Sequence, residues 1–269
     1  MYLFNFNVEE MLTFFCVLVR FSVLFSILPF IGDRTVPPMV KVLMSLVVTV
    51  ALFPPLLSTG KVHVADTYIW ASTPAGIITT IVIEAFMGLV LGFTAKLIFD
   101  CIAFGANLVG NMMGFASASI YDPHQESQTE VIAQVQTTLA MLVFLAVDGH
   151  HLMLRAALDS YRFVGVGKAT FGAAAGQRLV ELSGEVFHAG LQLAAPVAIS
   201  IFAVNVVFGV MAKSMPQLNV LVLSFSVTAL VGLVVMLLGT SEFNSVSSDI
   251  LLRVGSWMQS MVLTLKGGT

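Results

Sequence analysis

Charge is what this sequence has least of. Lys, Arg, Asp and Glu make up 10% of its 269 residues, against roughly 25% in soluble domains. Hydrophobic residues make up 58%, and the mean hydropathy is +0.96. That much apolar surface cannot be hidden inside a compact water-soluble fold of this size, so membrane embedding or an apolar oligomer follows. The net charge is -3 with no basic block, which excludes nucleic acid as a partner. Cysteine is nearly absent. Cys16 and Cys101 lie in apolar runs without CxxC spacing and read as buried small hydrophobes. Enzymatic signatures are missing too: there is no GxSxG, P-loop or GxGxxG, no HExxH and no His pair four apart. "DGHH" (Asp148–His151) gathers a carboxylate and two histidines, but adjacent histidines do not share a helix face, so it reads as a boundary turn at the end of a span. The expectation is no catalytic residue, no cofactor and no metal. The start, "MYLFNFNVEE", lacks the positive n-region and small-residue cleavage site of a signal peptide, so the first apolar run is expected to be retained.

What is present is a series of apolar runs near the roughly 20 residues a membrane helix needs. They cover Met11–Ile31, Met39–Leu57, Ile77–Phe99, Val131–Val147, Phe187–Met211 and Leu218–Leu238. None alternates as a strand would, so the predicted fold is all-α, a multi-helix integral membrane protein of helical hairpins with six to seven apolar segments. The seventh, Cys101–Ile120, is interrupted by Gly105, Gly110, Gly114, Asn107, Asn111, Ser117 and Ser119 and reads as broken or re-entrant. Asp148–Glu185 reads as the longest connection, already turning helical towards its end. Trp70 and Tyr68 are candidate interface anchors. If Cys101–Ile120 crosses, Arg34, Lys41, Lys96, the basic residues of the long connection and both tail cations fall on one side, and Lys61 and Lys213 on the other. Without that crossing the bias fades. No Gly/Ser-rich or Pro-rich linker divides residues 1–269, so one domain is expected, in two halves.

Three ionisable residues lie inside apolar runs: Arg20, Glu84 and Lys96. Such groups usually face protein or a cavity. Glu84, Gly88 and Gly92 are four apart and share one helix face, small and polar, suited to close helix packing. Glu84 is then either an ion-relay carboxylate or a structural one paired with a base such as Arg20. Ala106, Gly110, Gly114 and Ala118 form a second small-residue stripe, with Asn107 and Asn111 beside it. Met112, Met113 and Phe115 supply the bulk there, either as a gap-filling core cluster or as a compliant seal.

Four stretches in order along the chain carry a resemblance: "PFIGDRTVPPMVKVLMSL", "EAFMGLVLGF", "GANLVGNMMGFASASIYDP" with its Asp122–Pro123 pair, and "MPQLNVLVLSF" with the turn Pro216, Gln217 and Asn219. Together they resemble the FliR/SctT family of flagellar and type III secretion export gates. One departure is Asp148, where the family usually reads Asn-Gly-His. The resemblance implies a non-enzymatic conduit in the bacterial cytoplasmic membrane, at the flagellar basal body. It further implies assembly with FliP-like and FliQ-like membrane subunits and other export-apparatus proteins, with unfolded flagellar proteins as cargo. Residues 1–180 would be a FliP-like part and 187–240 a FliQ-like hairpin, while the tail, 241–269, matches little. The segment matching Gly110–Tyr121 would be a pore plug, bent at Gly110 and Gly114 and sealed by Met112, Met113 and Phe115. The alternatives are the equivalent injectisome subunit, or a secondary transporter using Glu84.

Overall fold

The computed structural model describes residues 7–29, 31–32, 36–115, 128–215, 217 and 219–266. They form α1 (Val8–Ile27), α2 (Pro38–Ser58), a single 3-10 turn (Val64–Asp66) and α3 (Thr67–Trp70). Then come α4 (Pro74–Met112), α5 (Gln128–Ala146), α6 (Gly149–Phe163), α7 (Ala173–Ser214), α8 (Val220–Leu238), α9 (Thr240–Leu252) and α10 (Val254–Thr264). Among the described residues there is no strand, only an isolated bridge between Ala169 and Lys266. The all-α class is borne out. α1, α2, α4 and α7 are long and apolar enough to cross a membrane, and two broken helix pairs raise the possible spans to six.

Two expectations are corrected. Cys101 through Met112 is no separate crossing, because it continues the preceding run as α4, a 39-residue helix roughly 58 Å long at 1.5 Å per residue. Gly105 does not break it because it is a contact residue: a Cβ there would lie 2.7 Å from the carbonyl oxygen of Gly190 on α7. The long connection 148–185 is mostly helix. Met153, Ala157 and Tyr161, four apart, are all buried, so α6 forms around an apolar stripe that a basic surface hides in the sequence.

The chain divides into two compact units. The first comprises Met1–Leu97, His150–Ser183 and Arg253–Thr269; the second comprises Ile98–Gly149 and Gly184–Leu252. In the first, α2 packs on α1, with Phe14 edge-on to Phe53 at 5.4 Å. Phe21, Leu24, Met87, Leu91, Met258 and Met261 are fully buried there. The tail returns to this unit, where Thr170 N–H donates to the carbonyl of Leu265 at 3.0 Å. In the second, α9 packs on α5. Phe99 meets Phe144 at 5.0 Å and Phe104 meets Phe187 at 5.1 Å, both edge-on. Cys16 and Cys101 are buried thiols. Whole faces of large apolar residues stay uncovered: Met39, Val42 and Val47 on α2, Ile199, Phe202 and Val210 on α7, Leu230, Leu237 and Leu238 on α8. Faces of that kind belong against lipid or other subunits.

The close approach of α1 and α4 depends on Gly88. A Cβ there would sit 2.4 Å from the carbonyl oxygen of Arg20 and 3.0 Å from Cβ of Val23, a backbone contact that no rotamer relieves. Gly88→Leu should therefore reduce recovery of folded chain in detergent, with destabilisation of about 3 kcal/mol or more, the upper end of overpacking. Gly176→Leu, at a position with nothing within 4 Å, should leave recovery unchanged. Equal recovery of the two variants contradicts the packing argument.

Candidate functional site

Two features of different chemistry stand out, one in each unit. The first is a buried charge cluster. Arg20 on α1 and Glu84 on α4 are 1% and 0% exposed and form a two-pronged ion pair. Arg20 Nε donates to Glu84 Oε2 at 2.6 Å and Nη2 donates to Oε1 at 2.9 Å. The third guanidinium arm, Nη1, donates to Ser160 Oγ on α6 at 2.9 Å. The carboxylate accepts once more, from the backbone N–H of Gly167 at 2.9 Å. The ring of Tyr161 lies 3.8 Å from Arg20 Cζ, a cation–π contact. Gly167 has φ 68, and a Cβ there would strike the Thr80 side chain at 2.9 Å. Only glycine brings that N–H onto the carboxylate. Removing two charges from water is strongly unfavourable unless every donor and acceptor is met in good geometry, and here the fork, the hydroxyl and the amide meet them.

Glu84 is thus paired with Arg20 inside protein, while Lys96, the third intramembrane charge, is exposed on α4. Lys61 and Lys168, which fall on opposite sides only if Cys101–Ile120 crosses, are brought together. Lys61 Nζ bonds Asp159 Oδ1 at 2.9 Å, and Lys168 Nζ bonds Asp66 Oδ2 at 2.7 Å. Both cations therefore lie at the same end of the first unit. That matches the branch in which Cys101–Ile120 adds no crossing and the charge bias fades. Asp148 sits in a turn between α5 and α6 at φ 55. Gly149 follows because a Cβ would collide with the Phe144 ring at 2.2 Å.

The second feature is the end of α4. The N–H of Met113 still reaches Val109 O at 3.0 Å and that of Gly114 reaches Asn111 O at 3.1 Å. Gly114 then turns left-handed at φ 88, with Phe225 2.8 Å from where its Cβ would be. A left-handed glycine is the usual way to end a helix. Thr228 Oγ1 on α8 donates to the carbonyl of Met113 at 3.3 Å. Met113 is 1% exposed and packs with Val109, Ala194, Val197 and Ile201; Phe115 lies partly buried against that cluster. A Cβ at Gly232 would strike the Met113 side chain at 2.6–2.8 Å. Met112, the neighbour, is 41% exposed. Gly110 is buried in the last turns, and Asn107 and Asn111 face outward. Ala116 to Ser127 lie outside the described residues, as does Pro216. Gln217 is an exposed turn residue, and Asn219 precedes α8 without a side-chain cap bond. The contacts of Gly105, Gly190, Gly232 and Gly167 were not read from sequence, because each glycine's partner is remote along the chain. Only the φ-demanding turn at "VGVGK" (Val164–Lys168) hints at one of them.

Long apolar helices, uncovered hydrophobic faces and a charge pair turned inward define an all-α integral membrane protein. Residues 11–254 match the profile of the Bacterial export proteins, family 1, and the chain belongs to that family, the FliR/SctT family. It is similar to the flagellar biosynthetic protein FliR of Escherichia coli (strain K12), 26% identical over 223 residues, covering 83% of this chain and 82% of the relative. It is likewise similar to FliR of Bacillus subtilis (strain 168), 27% over 227 residues, covering 83% and 84%. FliR of Buchnera aphidicola subsp. Baizongia pistaciae is 28% identical over 267 residues, covering 98% and 99%.

The ion pair makes a quantitative prediction. Glu84→Gln keeps one acceptor for Gly167 but strands the Arg20 charge. Thermal unfolding in mild detergent should show a loss of about 3–5 kcal/mol, as for a buried pair broken on one side. An unfolding transition unchanged from the parent chain contradicts a stabilising role for the pair.

Proposed function

We propose that this chain is the FliR-type subunit of a flagellar protein export gate in the bacterial cytoplasmic membrane, within the basal body. It would work with FliP-like and FliQ-like membrane subunits and further export-apparatus proteins, forming part of the pore for unfolded flagellar proteins. Its role is mechanical, as a wall and seal without catalysis. The observation that carries the reading is the family match across residues 11–254, joined to similarity with the flagellar FliR proteins of Escherichia coli, Bacillus subtilis and Buchnera aphidicola. The uncovered apolar faces of α2, α7 and α8 support it, since an assembly with subunits and lipid covers such faces. Residues 1–180 form the FliP-like part, and α7 and α8, separated by residues 215–219, form the FliQ-like hairpin within 187–240.

The seal reading divides the methionines. Met113, held by Thr228 and Gly232, fastens the segment; Met112, exposed beside the left-handed Gly114, is the side chain presented outward. A flexible thioether can close around varied unfolded cargo without charge selectivity. Glu84, Gly88 and Gly92 serve packing in this reading.

Extraction of the complex in mild detergent and native mass spectrometry tests the assembly. A hetero-oligomer with two other small membrane proteins is expected; a stable lone chain contradicts the proposal. Paired substitutions test the seal. Met113→Ala should act as a cavity mutation, losing about 2–5 kcal/mol. Met112→Ala should leave assembly intact and raise ion conductance in cells. Normal assembly with no added conductance in Met112→Ala removes the seal role.

A further inference from the structure

A polar cavity of about 570 Å³ opens at one end of the first unit, lined by Lys61, His63, Asp66, Tyr161, Arg162 and Lys168 among others. We propose that it binds the phosphate of an anionic phospholipid headgroup.

Four observations carry this. First, the cavity's lining is rich in donors: Lys61, Arg162 and Lys168, with the Tyr161 phenol, the Thr59 hydroxyl and the His63 ring beside them. Its one lining carboxylate, Asp66, is already engaged by Lys168 at 2.7 Å, and Lys61 is engaged by Asp159 at 2.9 Å. Arg162 is exposed and pairs with no carboxylate among the described residues, so one full positive charge stands unbalanced at the cavity. A guanidinium matches phosphate oxygens two at a time. Second, the hydroxyl of Tyr161 is buried and has no hydrogen-bond partner, although the residue is only 2% exposed. A buried hydroxyl left unmatched is unfavourable, and Tyr161 lines the cavity, where its O–H would donate a hydrogen bond to a phosphate oxygen. Third, helix ends gather at the cavity: α2 ends at Ser58, α6 ends at Phe163 and α4 starts at Pro74. Basic pockets at the ends of membrane helices suit phospholipid headgroups. Fourth, α3 beside it presents Tyr68 and Ile69, 69% and 75% exposed, as apolar and aromatic surface for the acyl-chain side of the same molecule.

The phosphate would also steady the charge cluster. The Tyr161 ring covers Arg20 at 3.8 Å. With its hydroxyl bonded, the ring is held from both sides, so lipid occupancy and the Arg20–Glu84 pair are mechanically coupled.

The test uses the full chain in its purified membrane complex, delipidated in detergent. Thermal unfolding is followed with added phosphatidylglycerol, phosphatidylcholine or inorganic phosphate. Phosphatidylglycerol should raise the unfolding temperature, and the other two should not. Its apparent affinity should fall about tenfold in Arg162→Gln, the loss of one charge-assisted contact, and fall again when Tyr161→Phe is added. Tyr161→Phe keeps the ring over Arg20 and removes only the hydroxyl. Arg162 is exposed, so the lipid-free unfolding of Arg162→Gln should equal the parent's and serves as the folding check. Lys213→Gln, an exposed cation at the end of α7 outside the cavity, should bind like the parent. Equal stabilisation by phosphatidylcholine, or an equal loss in Lys213→Gln, overturns the site. Equal stabilisation by inorganic phosphate overturns the lipid and leaves a free-phosphate site. Retention of full affinity in Arg162→Gln/Tyr161→Phe overturns the residue assignment.

Discussion

A buried guanidinium keeps its charge and is strongly unfavourable without partners, and that constraint organises the first unit. Arg20 needs a carboxylate at bonding distance, and Glu84 answers from α4 at 2.6 Å. The two helices can come that close only because Gly88 places no Cβ against the Arg20 carbonyl. The carboxylate has capacity for a further donor, and the left-handed Gly167 supplies it. The remaining guanidinium arm needs an acceptor, and Ser160 supplies one from α6. Four stretches that are distant in sequence are thereby fixed by one unmet hydrogen-bonding demand. Removing any single member leaves another buried polar group without a partner.

The second unit is held differently. Its contacts are apolar and close: Gly105 against Gly190, Gly232 beneath Met113, Phe225 over Gly114. Beside them, the Thr228 hydroxyl adds a directional bond to the Met113 carbonyl. The first unit thus carries a polar clamp of directional bonds, and the second a methionine-lined helix end packed by apolar contact. Beyond both, α2, α7 and α8 keep faces of large apolar residues uncovered.

Much of this was legible from residue spacing. Scarcity of charge and the length of the apolar runs pointed to membrane helices, and the all-α fold followed. Glu84, Gly88 and Gly92 declared a shared face through their spacing of four, and Arg20 stood out as a charge in an apolar run. Three things were hidden, each for a physical reason. Gly105 looked like a helix breaker because its compensating contact, Gly190, is far along the chain. α6 looked like loop because the basic residues Arg155 and Arg162 masked the buried stripe Met153, Ala157 and Tyr161. The remaining partners of the pair, Ser160 for Arg20 and Gly167 for Glu84, lie on α6 and in the turn after it, and only tertiary contact brings them to the two charges. The placement of Lys61 beside Asp159 shows the same limit: counting crossings cannot locate a charge when helix ends are misjudged.

The most direct check of a structural ion pair is its joint removal. Arg20→Met combined with Glu84→Gln deletes both charges, while the glutamine oxygen still accepts the Gly167 N–H. Replacing a buried pair together is often near neutral, whereas breaking one side is severe. Swimming motility measured beside the amount of assembled complex should recover in the double variant relative to Glu84→Gln alone. A double variant that assembles fully yet exports nothing would contradict this account and assign the Glu84 carboxylate a part in transport itself.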